Sequence, residues 1–333
     1  NVLTGATSHL PVKTLHLTDE GLQDTAAPLD RSVASPAHCG ADGGEYCAIW
    51  LGPEMPGDQR QDDALSVCFD SGPLAQQMDI LGAPRLRLRL ACDKPQGQIA
   101  VRLNHIHPDG ASARITYGVL NLSHRDSAEH PQAMAPGTMT DITLDLDHIA
   151  YRIPKGHRLR VSISTAYWPL LWPAPEAAEV TLSSGQIDLP QRPTSGGDEY
   201  SFAPPTSAAP WETETLRPEN HIRRQEIDRV TGIVSLIIED DFGKLRDADH
   251  GLIAGSVARE VWRIHPDDPL SAKGTCHWTE ELERDDIILR TETRSQMWSD
   301  ATHFHLTARL EAYENDKLIY ERDVTEDIKR HFM

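Results

Sequence analysis

The chain is short of positive charge. Its 333 residues carry 51 acidic against 32 basic side chains, a formal net charge of −19. A nucleic-acid groove and an anionic membrane surface both need clustered Lys and Arg, so neither is expected as a partner. Long hydrophobic runs are missing as well: no stretch approaches the roughly 18 apolar residues that cross a bilayer. Cysteine is scarce. The five stand at 39, 47, 68, 92 and 276, and no pair has metal-finger spacing. Cys68 and Cys92 sit in apolar strand patterns and read as buried small hydrophobes. Cys39 and Cys47 share a Gly-rich loop and could bridge, but a reducing, cytoplasmic compartment is the simpler expectation. No signal peptide is present, yet Asn1 reads as mid-protein sequence, so export is not decided by that.

Two further absences bear on chemistry. A serine nucleophile on a strand-turn-helix elbow needs the pattern G-x-S-x-G, because only small flanking residues permit that turn. No serine here has it. Ser235, in Gly232-Ile233-Val234-Ser235-Leu236, lacks a glycine two residues on and a helix to follow. Helical stripes of any length are also absent, so nothing builds a parallel sheet by alternation of strand and helix. No catalytic residue, cofactor or metal is therefore expected. Two H-x-H pairs, His105 with His107 and His303 with His305, could share a strand face as ligands, but neither has a third ligand in reach by sequence. Asp141, Asp145 and Asp147 could hold Ca²⁺, and a solvated acidic face is the simpler reading.

What is present is period-two alternation with turn signals between. Val12 to Leu17 opens the first strand. Leu86, Leu88 and Leu90 alternate with Arg85, Arg87 and Arg89, a half-buried strand with a basic outer face. Ile99, Val101, Leu103 and His105 form one face of the next strand. Ala113 to Leu120, Met139 to Leu146, Leu159 to Thr165 and Val180 to Leu182 follow. Such a series predicts an all-β fold: a jelly-roll (galactose-binding-like) β-sandwich over residues 1–190. A Pro-, Ser- and Gly-rich linker is expected over 191–220, then an antiparallel β-meander domain over 221–333, with a short helix from Asp323 to Phe332. Within the first domain, residues 22–63 are irregular, and a loop this long in a compact domain is usually functional or held by a partner. Tyr46, Ile49, Trp50 and Leu51 within it read as a lid on one end of the core or as a face toward a neighbouring domain. Tyr167 to Pro175, with Trp168 and Trp172, closes the sandwich or forms a docking platform.

The chain is organised around Glu54 to Leu74, EMPGDQRQDDALSVCFDSGPL. Pro56-Gly57 turns the chain, Asp58, Arg60, Asp62 and Asp63 concentrate charge, and Ala64 to Phe69 reads as a strand. Arg60 beside three aspartates suggests a polar knot that pins the loop, or a surface that docks. Together with DILGAPRLRLRLACD and VRLNHIHPDGASARITYGVLNLSHRD, this stretch resembles the C-terminal β-domain of the X-prolyl dipeptidyl-peptidase and cocaine-esterase-like (CocE/NonD) serine hydrolases, over about residues 14–190. The resemblance implies a non-catalytic role. The Ser, Asp and His of that family belong to a separate, upstream α/β-hydrolase domain, which is the expected partner, with a homo-oligomer as a further expectation. It also implies that the long loop, near residues 40–56, approaches the catalytic site. Asp58, Gln59, Arg60 and Asp63 are then expected on the interdomain surface, with Tyr46 and Trp50 near the pocket. The rivals are a free-standing carbohydrate-binding sandwich using Trp168 and Trp172, and a structural β-protein that assembles with itself.

Overall fold

The structure is a computed structural model and describes residues 10–48, 54–193 and 201–333. The chain divides into two compact units, Asn1–Asp198 with Phe332–Met333, and Glu199–His331. The first contains strands β1 (Val12–Thr18), β2 (Gly21–Gln23), β3 (Arg31–Val33), β4 (Val67–Asp70), β5 (Met78–Gly82), β6 (Arg85–Cys92), β7 (Gln98–Ile106), β8 (Ser112–Asn121), β9 (Thr140–Asp145), β10 (Ile149–Ile153), β11 (Arg158–Ser164) and β12 (Val180–Pro190). One sheet runs β2-β1-β12-β6-β9 with β3 also on β12, a second runs β4-β11-β7-β8, and β10 pairs with β5 in a ribbon. Every pairing is antiparallel.

Alternation does what the sequence implied on β6. Leu86, Leu88 and Leu90 are buried, and Arg85, Arg87 and Arg89 are exposed. The outward arginines meet acids on the flanking strands: Arg85 holds Asp145 at 2.5 Å, Arg89 holds Asp141 at 3.3 Å, and Arg87 pairs with Asp188. Asp141 and Asp145 are thus partners for arginine across β6 and β9, not a calcium cup. Such exposed pairs contribute at most about 1 kcal/mol each. The core lies between the two sheets, with Leu15, Leu17, Leu182 and Leu189 from one and Phe69, Val101, Leu103, Val161 and Ile163 from the other.

Two local expectations are corrected, and of the two readings of Trp168 the structure selects core closure. Residues 60–64 form a short helix, α1 (Arg60–Ala64), and the strand expected from Ala64 begins only at Val67. The polar run favours a helical turn there because its carboxylates find partners in the sheet beneath it. The strand expected over Val180 to Leu182 runs on as β12 to Pro190, with a register shift between Leu182 and Ser184. Trp168 is buried at 3% exposure and stacks edge-on with Trp172, ring centres 5.3 Å apart, so it closes the core and is not an open platform.

The second unit is one eight-stranded sheet: β13 (Thr213–Arg217), β14 (Asn220–Ile227), β15 (Val234–Asp247), β16 (Ile253–His265), β17 (Asp268–Arg284), β18 (Ile287–Ser299), β19 (His303–Glu314) and β20 (Lys317–Lys329). The order is β13-β15-β16-β17-β18-β19-β20, with β14 also on β15. Asn315 and Asp316 both have positive φ, 47° and 64°, the backbone a two-residue hairpin needs. Two expectations fail here. The stretch read as linker contains β13, because Pro210 and Pro218 hide the five strand residues between them. The expected terminal helix is β20, since Val324, Thr325 and Ile328 pair along β19, and the β-branched residues favour that ladder.

Across β17–β20 the two sheet faces differ in kind. His277, Glu292, Glu311 and Arg309 stand on one, and Glu292 takes bonds from His277 at 2.5 Å and Arg290 at 2.6 Å. The chain of charge continues from Arg294 to Glu311 at 2.9 Å and from Arg309 to Glu311 at 3.0 Å. Trp278, Leu282, Leu289, Leu310 and Val324 stand on the other. His277 is the end of this ion ladder.

Candidate functional site

The second sheet of the first unit has an outer face that is polar and yet buried. Alternation on β7 turns Val101, Leu103 and His105 inward, so Arg102 and Asn104 point away from the core, and both are 0% exposed. From β11, Arg160 and Ser162 share that face, since each lies directly opposite Asn104 and Arg102. From β8 comes Ser112. The segment before β4, including α1, supplies the acids that cover them.

Asp63 is the hub. One of its oxygens accepts hydrogen bonds from Ser162 Oγ at 2.7 Å and Asn104 Nδ2 at 3.0 Å. The other accepts from Ser112 Oγ at 2.7 Å and Arg160 Nη1 at 3.0 Å. Arg102 Nη2 stands 3.3 Å from the first oxygen, and its Nη1 stands 3.5 Å from Asp62. Arg102 also donates to Ser66 Oγ at 2.7 Å. Arg160 grips Asp70 with two parallel bonds of 2.6 and 2.8 Å. The paired Asp70 carboxylate holds the Arg160 guanidinium well above its ordinary pKa. Burial pushes the Asp62 carboxyl up, and the Gly40 N–H, donating to it at 2.8 Å, opposes that shift. Two buried carboxylates and one buried guanidinium are costly alone, and this lattice of short bonds makes them tolerable.

The lattice holds the irregular segment to the sheet. Gly40 N and Asp42 N donate to the two oxygens of Asp62. Gln59 Nε2 donates to the carbonyls of Asp42 at 2.7 Å and Gly57 at 2.9 Å, while its N–H reaches Ser112 O at 2.9 Å. Arg114 clamps Gly43 O and the Tyr167 hydroxyl, each at 2.6 Å. A knot pinning this loop is what the charge-rich run suggested, but its guanidinium is not Arg60. Arg60 is exposed and pairs only with Asp58, at 2.8 Å, among the described residues. Gln59 and Asp63, expected on an outward surface, face inward at 0% and 5% exposure, because Asp63 accepts from donors of the sheet below and Gln59 donates to the loop carbonyls of Asp42 and Gly57 and to Ser112 O. Asp58 stands between: it bridges Ala113 and accepts from the backbone of Ser112. Tyr46 is 87% exposed, so it is no lid on the core. Trp50 lies outside the described residues, as do Ile49 and Leu51.

Arg102, Asn104, Arg160 and Ser162 escaped the sequence reading. The available signal was Ile99-Ala100-Val101, an unbroken apolar run that marks a strand buried on both faces. On such a strand the next polar residues must also be buried and must be paired.

The hydroxyls of Ser112 and Ser162 donate to a carboxylate and not to an imidazole, so neither is set up for nucleophilic attack. Cys39 is buried, and burial pushes its thiol up to about 12, which leaves it unreactive. All five cysteines are free; Cys39 is buried and Cys47 exposed.

Asp42 gives a pH test of the knot. Burial, then the charges of Asp62 and Asp58, push its carboxyl up to about 6. The folded value is above the unfolded one, so folding is favoured when the group is protonated, and that gain is lost as pH rises through 6. Asp42→Asn is expected to raise the urea midpoint above pH 6 and to leave it unchanged near pH 4, measured by fluorescence-detected unfolding at both.

Comparisons with known proteins give the chain's family. The family described as the X-Pro dipeptidyl-peptidase C-terminal non-catalytic domain matches residues 4–207. The cocaine esterase of Rhodococcus sp. (strain MB1 Bresler) is 23% identical over 122 residues, which is 35% of this chain and 21% of that protein. Among solved structures, an alpha-amino acid ester hydrolase superposes with a TM-score of 0.47 at 17% identity, over 54% of this chain and 36% of its own. An aminopeptidase from a marine sediment Thaumarchaeota archaeon gives 0.48 at 15% identity, over 55% and 37%. The chain thus spans about a fifth of the curated esterase it matches.

Proposed function

The chain belongs to the X-Pro dipeptidyl-peptidase C-terminal non-catalytic domain family, and from that premise we propose that its first unit is a jelly-roll scaffold for an α/β-hydrolase catalytic domain and borders that domain's substrate pocket. One observation carries the reading. A glycine- and proline-rich segment with little regular structure is fixed to the sheet by a buried ion network, while Tyr46 and Arg60 remain exposed. Fixing a loop in this way limits its freedom, and a fixed loop can form one wall of a binding site. The parent reaction would be acyl transfer to water on an ester, amide or Xaa-Pro peptide, with the nucleophile supplied by the catalytic domain. Tyr46, Trp50, Asp58 and Arg60 are the residues proposed to face that domain. Assembly with a second copy of the chain is a further part of the proposal, as is a cytoplasmic location.

The test is direct. The isolated chain is expected to show no serine-dependent turnover of p-nitrophenyl esters or Xaa-Pro p-nitroanilides. Turnover abolished by a fluorophosphonate would overturn the reading. The carbohydrate-binding alternative loses its main support, because Trp168 is in the core.

A further inference from the structure

At the opposite end of β7 from the Ile99 run, three imidazoles meet. His105 is the penultimate residue of β7, and His107 begins the turn to β8. His157 immediately precedes β11. The β7–β11 register sets Ile106 opposite Arg158 and His105 opposite Leu159, so the next step outward faces His107 with His157. All three side chains therefore project from one face at one end of the sheet. Their ring nitrogens lie within 4.8 Å of one another. His105 Nε2 is 2.6 Å from His157 Nδ1, and the His105 and His107 rings stack with centres 4.1 Å apart. In sequence the His105–His107 pair has no third ligand; the strand pairing supplies it.

We propose that His105, His107 and His157 form a binding site for a borderline divalent metal ion, Zn²⁺ being the best fit. Three points of chemistry support the assignment. Imidazole nitrogen is the ligand type such ions prefer, and three of them leave a fourth position for water. The other nitrogen of His105, Nδ1, lies 2.9 Å from the Tyr151 hydroxyl on β10. A hydroxyl accepting the Nδ1–H fixes the tautomer that leaves the Nε2 lone pair facing the other rings, the outer-shell arrangement of protein zinc sites. The backbones carrying the rings are also fixed: His107 N–H bonds Ala111 O at 2.9 Å, and His157 O accepts from Leu74 N at 2.8 Å. Tetrahedral nitrogens about 2.0–2.1 Å from zinc stand roughly 3.4 Å apart. The present spread of up to 4.8 Å is wider than that, so metal binding requires the half-buried His107 and His157 side chains, both on turns, to rotate toward the buried His105.

The experiment uses the full chain, stripped with a chelator and titrated with Zn²⁺ against a chromophoric competitor, and separately with Co²⁺ as a visible-absorption probe. One tight site per chain is expected, with the intense Co²⁺ bands of four-coordinate geometry. His157→Ala should weaken binding by more than the roughly 10–100-fold typical of losing an outer-shell partner, and Tyr151→Phe by about tenfold with the stoichiometry kept. His107→Ala, on the other turn, gives an independent answer should His157→Ala fold poorly. His303→Ala should change nothing. Zn²⁺ affinity in the parent chain no greater than in a variant lacking all three histidines would overturn the assignment, as would equal affinity in the parent and either single-histidine variant.

Discussion

Asp63→Ala is expected to destabilise the first unit by about 3–5 kcal/mol, the cost of breaking a buried charge pair by removing one partner. The carboxylate is 5% exposed and accepts from Ser112, Ser162, Asn104 and Arg160, with Arg102 beside it. Alanine deprives Ser112, Ser162 and Asn104 of that acceptor in a site that water barely reaches, while Arg160 keeps Asp70. It also leaves Arg102, fully buried, with Asp62 as its remaining counter-ion at 3.5 Å. Domain stabilities run about 5–15 kcal/mol, so a loss of this size takes much of the total. Urea unfolding with a midpoint read by Trp fluorescence checks it. Asp63→Asn should fall between, since it keeps one carbonyl oxygen as acceptor. A loss below about 1 kcal/mol for the alanine variant, the range of exposed pairs, would mean that the network is not the fastening described here.

Gly40→Ala should approach the same magnitude by a different route. Gly40 has φ +117°, a backbone that L-residues rarely adopt. A Cβ there would lie 2.6 Å from the backbone N of Trp168 and from the carbonyl carbon of Tyr167. Neither can yield. Trp168 N–H donates to Cys39 O at 2.7 Å, and Gly40 N–H donates to Asp62. Left-handed strain of roughly 1–2 kcal/mol plus overpacking of roughly 1–3 gives a loss of about 2–5 kcal/mol. Gly137→Ala separates the two causes. It has φ +71° and nothing within 4 Å of the added Cβ, so it carries strain without collision and should cost the smaller part alone. Equal losses in the two variants would remove the close approach from the explanation.

Asp63→Ala and Gly40→Ala both strike the fastening of the irregular segment, so both also bear on the proposed role. If a bound loop shapes a neighbouring pocket, loosening it should lower activity in the assembled hydrolase more than a core substitution of equal cost.

Much of this protein could be read before any coordinates. Leucine alternating with arginine on β6 put one face in the core and the other in water, because successive strand residues point to opposite faces. The same arithmetic located β7, β8, β9 and β11, and the second unit was expected as an antiparallel meander. The lack of a nucleophile elbow, together with the blocks around Gly57 to Leu74, pointed to a non-catalytic member of a hydrolase family. The errors have a common source. Residues 60–64 look like a charged turn and Arg60 like its counter-ion, since sequence shows only neighbours along the chain. The guanidiniums that matter come from positions 102 and 160, brought there by the pairing of β7 with β11. Period-two patterning is a local property and is written in the order of residues. Partner choice among buried charges, and the meeting of His157 with His105, depend on which strands lie side by side, and only the folded chain decides that.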